Sequence, residues 1–126
     1  MSAIKFHNDL RVYQLAFSSA MEIFNLSLNF PKEEKYSLTD QIRRSSRSVC
    51  ANITESWRKR RYPKYFEFKL SDAEGEAAET QNWLDFAFAC KYIDESVYKD
   101  LSQKYDNIIG MIVNMITYSE KWTIKK

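Results

Sequence analysis

Between Asp9 and Trp122 the apolar residues return every three or four positions, and only two Gly and two Pro stand in the whole chain to interrupt them. A three-four beat places one apolar stripe along a helix. The scarcity of Gly and Pro starves β-turns and leaves long helices with few breaks. At 126 residues the chain is one domain by size, and with 44% apolar and 15% aromatic residues it has the material for a core.

Four helical segments follow from the periodicity, at about residues 9–29, 37–58, 63–90 and 94–122. In the first, Leu10, Tyr13, Phe17, Ala20 and Phe24 keep the beat of a packed helix, and Val12, Ala16, Ser19, Ile23 and Leu26 form a second stripe beside them. The apolar face is broader than one partner helix needs and points to a further contact. Pro31 breaks this helix, and Ser37 with Asp40 fits an N-terminal Ser-x-x-Asp signal for the second. There Leu38, Ile42, Val49, Ile53 and Trp57 face inward, with Asn52 at the stripe's edge placed to bond a neighbouring helix and fix register. Pro63 suits the first turn of the third helix. Phe66, Leu70, Ala73, Ala77, Leu84 and Phe88 form its stripe, and Gly75 marks a close crossing. Asp94 is placed to cap the fourth helix, whose stripe is Leu101, Tyr105, Ile108, Ile112, Met115, Ser119 and Trp122; the end, from Thr123, is expected to fray. Four amphipathic helices with short connections give an all-α, antiparallel up-down-up-down four-helix bundle over residues 1–126.

Charge is uneven along this frame although the net is only +2. Arg43, Arg44, Arg47, Arg58, Lys59, Arg60, Arg61 and Lys64 stand against Glu55 alone, whereas Glu67, Asp72, Glu74, Glu76, Glu79 and Asp85 stand against Lys69. Arg43, Arg44 and Arg47 are read as structural, pairing with the Asp72, Glu76, Glu79 line on the next helix or with Glu55. Arg58, Lys59, Arg60 and Arg61, with Lys64, follow the last inward residue of the second helix. Adjacent cations exceed the local carboxylates, so this stretch is the candidate surface for RNA or DNA phosphates, with Tyr62 and Tyr65 available to stack on bases. Trp83 and Phe86 fall off the third helix's stripe and read as anchors between subunits.

Enzyme chemistry finds little footing. His7 is the single histidine, near the terminus, so no Ser-His-Asp or Cys-His pair can rest on a core position. No Glu-x-x-His pair offers di-iron ligands, Cys50, Cys90 and His7 lack metal-ligand spacing, and no Gly-rich phosphate loop occurs. The expectation is a non-enzyme without cofactor. Cys50 and Cys90 read as buried free thiols. The opening residues have no apolar signal region, and no run nears the roughly 20 apolar residues of a membrane span, so a soluble, cytoplasmic protein is expected.

Several stretches resemble one family: four-helix-bundle proteins first noted as products of intervening sequences in bacterial 23S ribosomal RNA genes. "DLRVYQLA" resembles its opening. "FPKEEKYSLTDQIRRSSRSVCANITE" resembles its most specific part through Phe30-Pro31, Tyr36, Leu38, Gln41, Arg43, Arg44, Ser48, Ala51-Asn52-Ile53 and Glu55. "LSDAEGEAAE" adds Ala73, Gly75 and Glu79. Lys91 departs from the pattern, standing where many relatives have the Gly of a left-handed cap. The resemblance implies a ring-forming homopentamer with no attached enzymatic activity. It also implies a distant likeness to the accessory protein of diversity-generating retroelements, a basic pentameric barrel that binds nucleic acid and a reverse transcriptase.

Overall fold

In the computed structural model, which describes residues 4–124, the four expected helices are α1 (Arg11–Ser27), α2 (Leu38–Arg58), α3 (Pro63–Ala89) and α4 (Glu95–Thr117). Among the described residues there is no strand, and no helix is long and apolar enough to cross a membrane. Each helix packs on its neighbours in chain order and α1 closes on α4, so α1 and α3 lie on one diagonal, α2 and α4 on the other. The fold is an all-α four-helix bundle.

Burial follows the periodicity in α2 and α4: Leu38, Ile42, Val49, Ile53 and Trp57 are buried, as are Leu101, Tyr105, Ile108, Ile112 and Met115. In α1 the two stripes are not equally buried, although Leu10 and Ala20 of the first are enclosed. Val12, Ala16, Ser19 and Ile23 line the core, whereas Phe17 is 51% exposed and Tyr13 and Phe24 are half-buried. The buried side of α1 thus includes the small residues Ala16, Ser19, Ala20 and Ser27. In α3, Ala87 takes the core position and Phe88 moves outward to stack on Tyr98 at 4.5 Å. Gly75 is exposed, and a Cβ there would meet nothing within 4 Å, so no crossing inside the chain needs it.

The ends of the helices are set by specific polar groups. Ser37 occupies the N-cap of α2 but caps nothing; its hydroxyl donates to Glu34 Oε1 (2.7 Å), which also accepts the Leu38 N–H at 3.4 Å. Glu34 Oε2 accepts from Tyr92 (2.9 Å), tying the first connection to the third. These bonds hold the Glu34 carboxyl below its ordinary pKa, while donating to Glu34, with burial and the carboxylate's charge adding to it, pushes the Tyr92 phenol up to about 12. Asp94 caps α4 by accepting from Val97 N–H (2.8 Å). Helix α4 stops at Thr117, short of the expected 122, and a 3-10 turn at Ser119–Lys121 folds the chain back. Trp122 therefore reaches the core edge from that turn, and Ile124 N–H donates to Arg60 C=O (2.9 Å) rather than fraying.

Lys91 adopts φ 65°, and the N–H groups of Lys91 and Tyr92 donate to the carbonyls of Phe88 and Ala87, both at 2.9 Å. This is the left-handed Schellman cap that a Gly serves at less cost, because a side chain in that region crowds the following carbonyl. Lys91→Gly is expected to stabilise the chain by about 1 kcal/mol and raise the thermal midpoint by about 3–6 °C. Differential scanning calorimetry measures it; an unchanged or lowered midpoint would show that Lys91 carries no strain.

Candidate nucleic-acid interface

Helix α2 delivers its cations where its backbone runs out. The last residues, Arg58 and Lys59, sit at a helix C-terminus, whose partial negative charge favours them. Lys59 C=O accepts from Tyr62 N–H (2.9 Å), turning the chain so that Pro63 opens α3 one residue later. The short connection crowds Arg58, Lys59, Arg61 and Lys64 onto one end of the bundle, all exposed. None has a carboxylate within ion-pair distance among the described residues. The nearby acids are engaged: Glu55 pairs with Lys69 (2.9 Å), and Glu67 accepts from Ser119 (2.6 Å). Tyr62 and Tyr65 stand beside them at 52% and 61% exposure, ring centroids 6.2 Å apart and edge to face.

Arg60 does not join the cluster in the way the sequence suggests. Its guanidinium lies 3.5 Å from the Trp57 ring centroid, and its Nε donates to Trp57 C=O (2.7 Å). Burial and the neighbouring Arg58 hold its pKa below the ordinary arginine value. Trp57 in turn donates from Nε1 to Lys5 C=O (3.2 Å) and meets Trp122 edge-on, centroids 6.4 Å apart. Arg60 thus serves the turn's architecture, and four cations remain for a partner. The signal was local: an Arg three residues after a core Trp can fold back onto it.

The expected α2–α3 ion pairs reduce to one residue. Arg44 reaches both Glu76 (3.4 Å) and Glu79. Arg43 turns the other way, donating to Ser27 Oγ (2.7 Å) with its guanidinium 4.9 Å from the Phe24 centroid, and Arg47 lies 5.6 Å from the same ring. Glu55 meets Lys69 instead of an arginine, and Asp72 makes no ion pair among the described residues. The side chain of Arg44 is 47% exposed, so the bridge is worth about 0–1 kcal/mol. Arg44→Ala is accordingly expected to lower the thermal midpoint by no more than about 5 °C. A drop several times larger would mean that this pair is buried in an assembly. Burial and the Glu79 carboxylate push the Glu76 pKa up despite Arg44, because Glu76 Oε1 is enclosed without a donor.

Other polar roles were hidden from the sequence. The bond locking α2 to α3 inside the core is Thr80 Oγ1 to Ser45 Oγ (2.9 Å), both residues fully buried. Asn52 bonds its own helix, donating to Ser48 C=O (2.9 Å), and lines a groove with Arg44, Ser71, Asp72, Gly75 and Glu76. Phe86 is 53% exposed, whereas Trp83 is half-buried against the core with its Nε1 enclosed, and the two ring centroids lie 5.9 Å apart. Cys50 is largely buried and its thiol pushed up to about 11, whereas Cys90 is exposed, contrary to the expectation of two buried thiols, because it caps the end of α3.

A comparison with curated proteins returns no match. Among solved structures, a protein of unknown function from the S23 ribosomal protein family of Bacteroides thetaiotaomicron VPI-5482 superposes with a TM-score of 0.75 at 29% identity. The alignment covers 83% of this chain and 97% of that one. Residues 8–114 match the family described as 23S rRNA-intervening sequence protein. By that match, across nearly all of the four helices, the chain belongs to the 23S rRNA-intervening sequence protein family.

Proposed function

We propose that the chain is a non-enzymatic, self-associating helical bundle that binds nucleic-acid backbone through the α2–α3 turn. The observation that carries this reading is the set of four exposed cations, Arg58, Lys59, Arg61 and Lys64, beside two exposed tyrosines and with no carboxylate within ion-pair distance among the described residues. Phosphate contacts of this kind supply affinity without reading sequence, and flanking aromatic faces accept any base. Self-association is supported by Trp83 and Phe86, and a pentamer is what the resemblance implies. A ring would repeat the basic turn and multiply its potential. Two unpaired cysteines, one of them exposed, suit a reducing cytoplasm.

The test is an electrophoretic shift of the full chain with single-stranded RNA, duplex RNA and duplex DNA at two salt concentrations. Binding is expected for all three, weakening steeply with salt. If no shift appears even at low salt, the apolar outer surfaces favour the second reading, a protein-interaction module with no nucleic-acid role. The exposure of Phe68, at 66%, and of Phe86 is the observation on its side.

A further inference from the structure

We propose that the chain binds a medium-chain carboxylate, an alkyl chain ended by one carboxylate group, in two adjoining hollows beside the carboxyl end of α4. The first of them lies between α4 and the start of α1, across the bundle end from the α2–α3 turn, so the basic cluster takes no part in this binding.

The first hollow suits an alkyl chain. Leu10, Val12 and Met115 are buried and form its floor, Met111 and Trp122 are half-buried walls, and Ile4 stands at its lip, 40% exposed. It exists because α4 stops at Thr117 and the 3-10 turn at Ser119–Lys121 brings Trp122 back toward the start of α1. It holds about 390 Å³, within the range of small-ligand pockets. Two thioethers on its walls and floor adapt to a flexible chain more readily than branched side chains would.

The second hollow suits the head. It holds about 350 Å³ and is lined by Asn114, Tyr118, Lys121 and Trp122, of which Asn114 and Trp122 line the first hollow too. About 10 Å of α4, from Met111 to Tyr118, borders the pair, which is the reach of a chain of medium length. Lys121 is exposed and has no carboxylate within ion-pair distance among the described residues. Its ammonium lies 4.9 Å from the Tyr118 ring centroid, which positions the charge without neutralising it. Asn114 adds an exposed amide beside it.

Charge decides both the sign of the head and its direction. Among the described residues Asp9 is the one carboxylate lining either hollow, and it stands on the α1 side of the first. Its Oδ2 accepts from the N–H groups of Phe6 (3.0 Å) and Lys5 (3.1 Å), and these bonds hold its pKa below the ordinary value, so it is ionised at neutral pH. Arg11 lines the same side and offsets it. An anionic head therefore gains nothing beside Asp9 and is drawn to Lys121, which leaves the chain over Met115, Leu10 and Val12. A cationic head finds no surplus of negative charge at either end, because Asp9 is offset and Lys121 repels it.

The experiment is isothermal titration calorimetry of the full chain with sodium hexanoate, octanoate and decanoate, each below its micelle-forming concentration. Every added pair of methylenes is expected to tighten binding about fourfold, half the gain of complete burial, because the hollow opens to solvent on one side. 1-Octanol and octylamine are expected to bind about twofold to fivefold more weakly than octanoate, and Lys121→Gln to erase the difference between octanoate and 1-octanol. Ile4→Asp and Met111→Asp are each expected to weaken octanoate by about tenfold or more, with helical circular dichroism unchanged. Ile4 stands at the exposed lip, so its variant keeps the test in force should Met111→Asp unfold. Wild-type affinity in Ile4→Asp, equal affinity for octanoate and octylamine, or no gain with chain length would overturn the proposal. Capture of the chain by phosphatidylglycerol vesicles, with no binding heat from any of the three carboxylates, would also overturn it and put a membrane surface in place of the free carboxylate.

Discussion

Replacing Arg58, Lys59, Arg61 and Lys64 together by Ser is expected to remove most of the salt dependence of nucleic-acid binding while leaving the fold and the assembly intact. The four side chains are exposed and hold no partner carboxylate among the described residues, so their loss disturbs no ion pair there. Each duplex phosphate neutralised contributes about −0.9 to the slope of log affinity against log salt, so four contacts contribute about −3.6 per copy engaged. Between about 50 and 200 mM salt the wild type then loses about 150-fold more affinity than the variant for each engaged copy. A salt titration by fluorescence anisotropy reads the slope, and circular dichroism with light scattering checks fold and mass. A variant that binds with the wild-type slope would move the interface away from this turn. Arg60→Ser alone should change the slope little, because that guanidinium is spent on Trp57. Tyr65→Ala separates the two contact types further: it should weaken single-stranded RNA by about 1–3 kcal/mol per stacked base and leave the slope unchanged.

The bundle was legible from the beat of the apolar residues because α2 and α4 each carry one buried stripe. Helix α1 was harder: it has two apolar rows side by side, and periodicity alone does not say which is core. In the structure Ala16, Ser19 and Ile23 of one row are buried together with Leu10 and Ala20 of the other, and Phe17 is left outside. Among the charged residues, exposure of the turn followed from simple crowding of cations, while the direction of Arg43 did not. An arginine at the edge of a helix can reach a carboxylate on one side or an aromatic ring on the other, and here Phe24 and Ser27 lie closer than the acidic line. The Glu34–Tyr92 bond joins residues 58 apart in sequence, and nothing local announces it. Gly75, expected to mark a close crossing, has open space around it, so no crossing inside the chain needs it.

Trp57→Ala is expected to be the most destabilising single change at this end of the bundle, costing about 3–5 kcal/mol. Trp57 is 4% exposed and makes four contacts with three other residues far apart or across the turn, Lys5, Arg60 and Trp122. Its indole N–H holds Lys5 C=O, its ring face carries Arg60, its edge meets Trp122, and its carbonyl accepts from Arg60 Nε. The last bond survives truncation, but without the ring the guanidinium loses its seat. The Arg60 backbone then loosens the Ile124 N–H bond, and the 3-10 turn that carries Trp122 loses its packing. At about 3–6 °C per kcal/mol, the thermal midpoint should fall by about 10–25 °C. Trp57→Phe keeps an aromatic surface and forfeits the indole hydrogen bond, so it should cost nearer 1–2 kcal/mol. Native-state hydrogen exchange gives the finer reading. In Trp57→Phe the Ile124 amide should stay protected, whereas in Trp57→Ala it should exchange at the rate of an open chain while the α4 core amides of Leu101 and Ile108 remain slow. A midpoint lowered by less than about 5 °C in Trp57→Ala would mean that the two chain ends are held by other contacts. Arg60 would then have to be counted again among the cations free to meet phosphate.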